Sequence, residues 1–529
     1  MAYVITQNCC KDASCVPACP VDCIRPADGA QGTQMLFIDP ETCIDCGACV
    51  DECPVDAIYS EYDLPPDQQR FRELNAAYFQ RHPLEPGPVA APPQQRAPVG
   101  PGALRVAIVG AGPAACYAAT GLLSVDGVEV DLFDRLPTPF GLVRFGVAPD
   151  HQRTKSVVKA FDNAFRTERF ACHLGVEIGS TLTHQDLLAH HHAVVYAIGA
   201  PASRDLGIPG EHLPGHHAAA DFVGWYNGHP DHAAHLVDLT GRRAVITGNG
   251  NVALDIARML LAGPVALAAT DIAEHALAAL SEHRIEEVVI LGRRGPREAA
   301  FSVGEFSALG HLDGVDVVLD DADLTPHPDD DVETAAKLAL AREYRERPAT
   351  QGNKRITFRF HTAPVEFVGT ERVEALRVTG ATEPIETGLV FRSIGYLGRA
   401  VDGVPYDART GTIPHRAGRV VDAAGVAIPG VYATGWIKRG PRGVIGTNRG
   451  CAAETVAGLL ADHANGSLDR PVADRRSLLE LMAEREIAPV DWPGWRAIDA
   501  AERARGAAVS RPRVKLVSVE ELLETARRR

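Results

Sequence analysis

From Leu104 to about residue 460, short apolar runs alternate with Ala- and Leu-rich stretches. Val106 to Val109, the VEVDLFD run ending at Asp134, Ala244 to Thr247 and VVILGRR read as strands, each followed by helical sequence. This alternation predicts parallel α/β domains. Two further segments, VVYAIGAP (194–201) and LVFRSIGY (389–396), run from a strand into a Gly turn, as expected where a chain crosses between two domains. The 20 residues from Val106 to Val125 carry no charge and match a membrane span in length. Gly110, Gly112 and Pro113 stand where a strand would turn into a helix, so a soluble fold is expected there. The pattern is absent from residues 1–60, which are short and cysteine-rich. Seven prolines in residues 83–103 predict a stiff, extended linker. The polar last 60 residues end in Arg527, Arg528 and Arg529, read as a solvated helix end.

Composition sharpens this picture. A chain of 529 residues exceeds one hydrophobic core, so two to four domains are expected. With 46% hydrophobic and 23% charged residues it is an ordinary globular chain, and its net charge of −15 argues against nucleic acid or an anionic membrane as main partner. No basic segment followed by an apolar one opens the sequence, so a cytoplasmic location is expected. Nine of the 12 cysteines fall within the first 53 residues, which marks a local cofactor site rather than a disulfide framework. His190, His191 and His192 have no Cys or carboxylate at ligand spacing and read as a surface turn; Cys116, Cys172 and Cys451 read as buried thiols.

The cysteine-rich head is an internal repeat. Cys9, Asp12, Cys15 and Cys19-Pro20 reappear 34 residues on as Cys43, Cys46, Cys49 and Cys53-Pro54. Two halves with C-x2-C-x2-C-x3-C-P spacing suit two iron–sulfur clusters; zinc fits the third cysteine and the following proline poorly. Over nearly all of residues 1–60 the head resembles bacterial ferredoxins with two cubane-type clusters. Their cross-over of ligands implies one [4Fe-4S] cluster on Cys43, Cys46, Cys49 and Cys19. Cys9, Cys15 and Cys53 remain for the other, because Asp12 stands where the repeat requires cysteine. Three thiolates suit a [3Fe-4S] cluster, or a [4Fe-4S] cluster whose fourth iron is held by Asp12 or water. Cys10 and Cys23 are spare.

The body carries two dinucleotide fingerprints. In RVAIVGAGPAA, Gly110, Gly112 and Ala115 permit a tight turn and close backbone approach to a pyrophosphate, and Asp134 ends the next strand where an acid binds a ribose. In RAVITGNGNVALD, Gly248, Gly250 and Ala253 repeat the spacing, but the following strand ends in Arg293 and Arg294. Two guanidinium groups in place of a carboxylate predict a 2′-phosphate, so the first site reads as FAD or NAD and the second as NADP(H). A third Gly-rich stretch, IKRGPRGVIGTNRG (437–450), would let backbone N–H groups approach a flavin.

With these words in order, together with LPTPFGLVRFGVAPDH and RRGPREAAFS, residues 104–460 resemble the adrenodoxin reductase-like family of ferredoxin–NADP reductases. The whole chain resembles the mycobacterial-type reductases with a fused ferredoxin. The resemblance implies an α+β ferredoxin-like domain followed by an α/β flavoprotein of two dinucleotide-binding domains, adrenodoxin/glutathione reductase-like. The expected division is a ferredoxin domain at 1–60, a linker at 61–103, an FAD domain split into 104–208 and 397–465 around an NADP domain at 209–396, and a C-terminal extension at 466–529 on the FAD domain. It implies that Gly110, Ala111, Gly112, Pro113, Asp134, Leu142, Trp436, Gly443, Val444 and Ile445 contact FAD. It likewise places Asn249, Gly250, Asn251, Val252, Arg293, Arg294, Glu305 and Gly443 on NADP, and His151 near the nicotinamide as the candidate catalytic residue. Ala308 stands where relatives have an acid to pair with that histidine. The acidic head is expected on a basic rim of Lys438, Arg439 and Arg442.

The implied activity is NADPH–ferredoxin oxidoreduction: hydride from NADPH to FAD, then single electrons through the fused clusters to an outside acceptor such as ferredoxin or a cytochrome P450 system. Two other readings are a reductase like the glutamate synthase β-subunit, and an electron carrier whose flavin body is not essential.

Overall fold

The computed structural model describes residues 2–26, 33–84, 97–320 and 322–528; residues 85–96 of the expected linker lie outside them. In the head, Tyr3–Ile5 pairs antiparallel with Ile58–Ser60 and Ile24–Arg25 with Phe37–Ile38. The 34-residue repeat is visible in the backbone. Left-handed residues recur at Lys11 and Asp45 (φ 59° and 57°), Ala13 and Gly47 (63° and 75°) and Asp22 and Asp56 (53° and 49°). Each pair of turns wraps a cysteine loop in the same way.

The stretch from residue 61 departs from the linker expectation. Arg70–Arg81 is a helix whose Phe71, Leu74, Tyr78 and Phe79 are buried in the head's core, with Phe37 stacked on Tyr78. Apolar side chains at three- and four-residue spacing outweigh the proline-rich sequence that follows. The Asn75 side chain ties this helix to both ladders, donating to the Ile5 carbonyl at 2.9 Å and accepting from the Ile38 amide at 2.8 Å.

The body contains two large sheets. The first runs His415–Arg416, Arg419–Val421, Ala427–Ala433, Ala193–Tyr196, Arg105–Val109, Glu129–Asp134 and Phe170–Leu174, its last five strands parallel. The second is wholly parallel, in the order His216–Ala218, Leu389–Arg392, Arg243–Thr247, Glu287–Leu291, Lys354–Arg359 and Val315–Leu319. The chain leaves the first sheet after Tyr196 and returns to it at His415, so the second is an insertion. The two crossings pair with each other: Ala202–Ser203 lies antiparallel to Tyr396–Leu397.

After residue 466, Trp495, Ile498, Leu516 and Leu522 enter the core of the first domain. The tail also reaches the second domain, where the buried Lys515 ammonium lies 3.1 Å from Asn227 Oδ1 and 3.3 Å from Asp271. Among the described residues no helix is long and apolar enough to cross a membrane, and the uncharged window is the strand Arg105–Val109 followed by the helix Pro113–Leu123.

The histidine triplet is not a surface turn. His191 is fully buried with Nε2 3.3 Å from Asp131, an acid also held by His173 at 3.0 Å and by Arg475. His190 Nδ1 meets the Asp186 carbonyl, and His192 Nδ1 accepts the Arg105 amide. His190 and His191 are buried and His192 half-buried, each ring meeting a polar partner.

Candidate functional site

Two small, partly open cavities collect the head's cysteines. The outer one is lined by Cys19, Cys43, Cys46 and Cys49 with the spare Cys23, entirely by head residues, and Cys46 is exposed. The inner one brings together Cys9, Cys15 and Cys53, with Cys10 and Asp12 also on its wall. Burial pushes the Cys9 thiol up to about 11 and that of Cys49 up to about 12. Thiolates there need a cationic partner, which iron supplies. Backbone amides already point at sulfur, Lys11 at Cys9 (3.4 Å), Ala57 at Cys53 (3.3 Å) and Cys23 at Cys19 (3.4 Å). The residues present therefore fit two iron–sulfur clusters.

In the first sheet domain, Gly110 (φ 102°) leaves no room for a side chain, since a Cβ would meet the Ala197 carbonyl oxygen at 2.5 Å. Gly112 then opens the helix Pro113–Leu123 without a side-chain cap, leaving its first amides for a ligand. Asp134 accepts the Ala111 amide at 2.7 Å and the Leu136 amide at 2.9 Å, which fixes its carboxylate beside the turn. Phe140 donates to the Ala111 carbonyl at 2.7 Å and so carries the exposed Leu142 to the same edge. A Cβ on Gly435 would lie 2.5 Å from that of Ala114, so the Trp436 segment abuts the same helix, and Ile445 of the loop Gly443, Val444, Ile445 packs against the first domain's core. These residues form a cradle that fits FAD.

The second domain repeats the device. A Cβ on Gly248 (φ 107°) would lie 2.2 Å from the Ser393 carbonyl oxygen, and Gly250 opens the uncapped helix Asn251–Leu261. Asn249 lies against Gly292, while Asn251 accepts the Ser302 amide at 2.8 Å. Arg293 and Arg294 are exposed just beyond the neighbouring strand, and neither forms an ion pair among the described residues. They are available to a phosphate.

At the boundary of the two domains lies a polar nest that spacing alone did not reveal. Arg258, buried, bonds Asp150 at 2.8 Å, Asp255 at 2.7 Å and Glu305 at 2.8 Å. His151 stands beside it, Nδ1 3.7 Å from Glu305 and Nε2 4.0 Å from Asp150. The acids near His151 are thus Glu305, Asp150 and Asp255, the last with a carboxylate oxygen within 4.8 Å of the ring, and the alanine at 308 does not leave it without one. Burial pushes the Asp255 carboxyl up to about 6 against the pull of Arg258. Glu305, expected on NADP, is held by Arg258 instead of standing free. Asp255 and Arg258 share one helix face at i,i+3 immediately after the second fingerprint, the one sequence signal that could have found them.

Among the described residues the head makes no contact with the expected basic rim of Lys438, Arg439 and Arg442. Lys438 is buried against Glu454 and Thr455, and Arg439 bonds Asn448. Instead, the Gly446 amide donates to the Cys10 carbonyl at 2.8 Å, Arg449 donates to the Asp12 carbonyl at 2.8 Å, and Ser156 donates to the Pro54 carbonyl at 2.6 Å. Arg153 lies over the Tyr59 ring. Cys10, Val55 and Ala57 are buried members of the first domain's core, with Cys9 and Cys53 packed against it. On the other flank the Gln34 amide donates to Glu333 at 2.8 Å, and Asn251 reaches Gln34 at 3.4 Å. The head is seated on both domains.

Comparison with known proteins agrees with this architecture. A family model for a 4Fe-4S binding domain matches residues 36–59, and one for pyridine nucleotide-disulphide oxidoreductases matches residues 104–289. The chain is 48% identical, over 99% of its own length and 95% of the relative's, to the "Probable ferredoxin/ferredoxin--NADP reductase" of Mycobacterium tuberculosis. It is 39% identical to the mitochondrial "NADPH:adrenodoxin oxidoreductase" of Arabidopsis thaliana, over 80% of this chain and 95% of that one. The solved structure of Mycobacterium tuberculosis FprA in complex with NADPH superposes with a TM-score of 0.76 at 43% identity, covering 80% of this chain and 99% of that one. The chain belongs to the ferredoxin–NADP reductases of the adrenodoxin reductase-like kind that carry a fused ferredoxin domain.

Proposed function

We infer that the protein is an NADPH–ferredoxin oxidoreductase whose fused ferredoxin serves the flavin site directly. The observation that carries this reading is the hydrogen bond from Gly446, next to the flavin-cradle loop 443–445, to the carbonyl of Cys10 on the wall of the inner cysteine site. FAD, when bound, supplies the exchange between a two-electron hydride donor and one-electron iron–sulfur carriers. The chain's own task is positioning. Gly110, Ala111, Gly112 and Pro113 present backbone to the pyrophosphate, and Asp134 is oriented for the ribose hydroxyls. Leu142, Trp436, Gly443, Val444 and Ile445 enclose the rest. Asn249, Gly250, Asn251 and Val252 receive the second pyrophosphate, and Arg293 and Arg294 its 2′-phosphate. The Arg258 nest fixes His151 and Glu305 at the domain boundary, where the nicotinamide arrives.

The three thiolates that the repeat assigns to the inner site, Cys9, Cys15 and Cys53 with Cys10 a spare beside them, and the hydrogen bonds already made by both oxygens of Asp12 support a [3Fe-4S] cluster there and a [4Fe-4S] cluster at the outer site. The exposed Cys46 supports delivery to an outside one-electron acceptor, the class that includes cytochrome P450 systems. Seven cysteines read as cluster ligands, with no disulfide among the described residues, suit a reducing compartment such as the cytoplasm.

One equivalent of NADPH added anaerobically is expected to bleach the flavin absorbance and raise a reduced-cluster EPR signal, with a three-iron signal in the oxidised sample. Bleaching with silent clusters would overturn the internal relay. Replacing both Arg293 and Arg294 by Ala is expected to raise the KM for NADPH about ten- to a hundredfold, the loss of charge-assisted bonds of about 1.5–3 kcal/mol, and to leave that for NADH nearly unchanged. Equal loss with both nucleotides would refute the assignment of the 2′-phosphate to these arginines.

A further inference from the structure

The 34-residue repeat makes Asp12 the counterpart of Cys46, yet the two lie in opposite surroundings. Cys46 is exposed, whereas Asp12 is 5% exposed, because the reductase body covers it. Both carboxylate oxygens of Asp12 are engaged. Oδ1 accepts from the Ser14 hydroxyl and amide and from Arg449, and Oδ2 accepts from the Tyr117 hydroxyl. Arg449 also donates to Ser14 Oγ at 3.0 Å. Tyr117 lies on the helix that opens at the first nucleotide turn, and Arg449 on the helix that follows the flavin-cradle loop. A cysteine ligand at residue 12 would commit its thiolate to iron and leave only a weak sulfur acceptor for Arg449 and the tyrosine.

We propose that Asp12 is an interdomain clamp: in the slot where the repeat calls for a cluster ligand, its carboxylate holds the ferredoxin head on the flavin domain through Tyr117 and Arg449. Asp12 is thus a positioning residue. The inference rests on reading Cys9, Cys15 and Cys53 as a three-thiolate site and goes beyond it. Losing the fourth thiolate frees this position for docking, and the docking falls at the inner site, beside the hydrogen bond from Gly446 to Cys10. The outer site keeps its fourth cysteine and stays clear of the body.

Hydrogen–deuterium exchange on the full-length, cluster-loaded, oxidised protein tests this without NADPH, so its failure is separable from failure of the electron-transfer reading. In Asp12→Ala, and in the body-side double variant Tyr117→Phe with Arg449→Met, amides of residues 9–16 and 443–450 are expected to exchange about ten- to a hundredfold faster, from loss of hydrogen bonds to a charged group. Residues 43–49, the iron content and the oxidised EPR spectrum should stay as in the parent. The double variant should also slow reduction of the clusters by NADPH while ferricyanide reduction at the flavin continues, a split that general destabilisation would not produce. Should Asp12→Ala lose iron or change its EPR signal while the double variant exchanges like the parent, Asp12 is a cluster ligand and the clamp is wrong. Unchanged exchange in both would equally reject it. If Asp12→Ala fails to assemble its clusters, the double variant, which leaves every head residue intact, decides alone.

Discussion

Gly446 has ordinary helical backbone (φ −67°), so its requirement is for space and not for conformational freedom. A Cβ there would lie 2.0 Å from the Lys11 carbonyl oxygen, and backbone cannot yield as a flexible side chain does. Gly446→Ala should cost the docked arrangement about 1–3 kcal/mol, or about 5- to 150-fold in the docking equilibrium. Stopped-flow absorbance would record slower cluster reduction by NADPH at unchanged FAD content; unaltered kinetics would show that the head is not held at this contact. Such a requirement is illegible in sequence. Gly446 stands in a Gly-rich word that reads as flavin-binding, and its partner loop lies more than four hundred residues away. The cysteine spacing could be read because all but one of the ligands of each cluster come from one loop. Asp12 was visible as a gap in the repeat, but its partners lie 105 and 437 residues distant with no pattern to mark them.

Elements show the same division between local and distant causes. Both nucleotide turns, their helices and the crossings between domains were readable, because glycine spacing and apolar runs act within about thirty residues. The helix Arg70–Arg81 carried its own signal in Phe71, Leu74 and Tyr78, which the nearby prolines obscured. What the tail does was not readable, since Lys515, Asp271 and Lys155 come from three separate segments. Lys155 lies 2.7 Å and Lys515 3.3 Å from Asp271, with Asp271 and Lys515 buried and Lys155 half-buried, tying the flavin domain, the inserted domain and the tail together. Burial works against the Asp271 charge, but the two ammonium groups hold its carboxyl well below the usual range. Its contribution is therefore complete above the unfolded value of about 3.9 and is lost as pH falls below it. Asp271→Asn leaves two buried cations without their acid and should cost about 3–5 kcal/mol, read as a lower urea midpoint near neutral pH. Lys515→Met keeps the Lys155 pair and should cost much less; equal costs would show that Asp271 is not shared in this way.

For the whole molecule, the two faces of the head differ in how they meet a partner. The face on the body is closed by backbone hydrogen bonds, by buried apolar residues such as Val55 and Ala57, and by the Asp12 contacts. The opposite face carries Cys46 and Ile44, the latter 59% exposed, among the exposed acids Glu41, Asp51 and Glu52. Residues 1–60 hold nine acidic and two basic side chains, so this face projects negative charge outward. Salt screens exposed charges over a Debye length of about 10 Å at 0.1 M and acts weakly on buried contacts. Encounter with an outside partner is steered by just such exposed fields. Raising NaCl from about 0.05 to about 0.5 M should therefore change cluster reduction by NADPH less than about twofold, while electron delivery to a small basic acceptor such as cytochrome c slows about tenfold or more. A stopped-flow series in which the internal step carried the salt dependence would mean that the head finds the flavin by charge steering from a detached state. Independence of both steps would mean that the acidic rim around Cys46 is not where electrons leave.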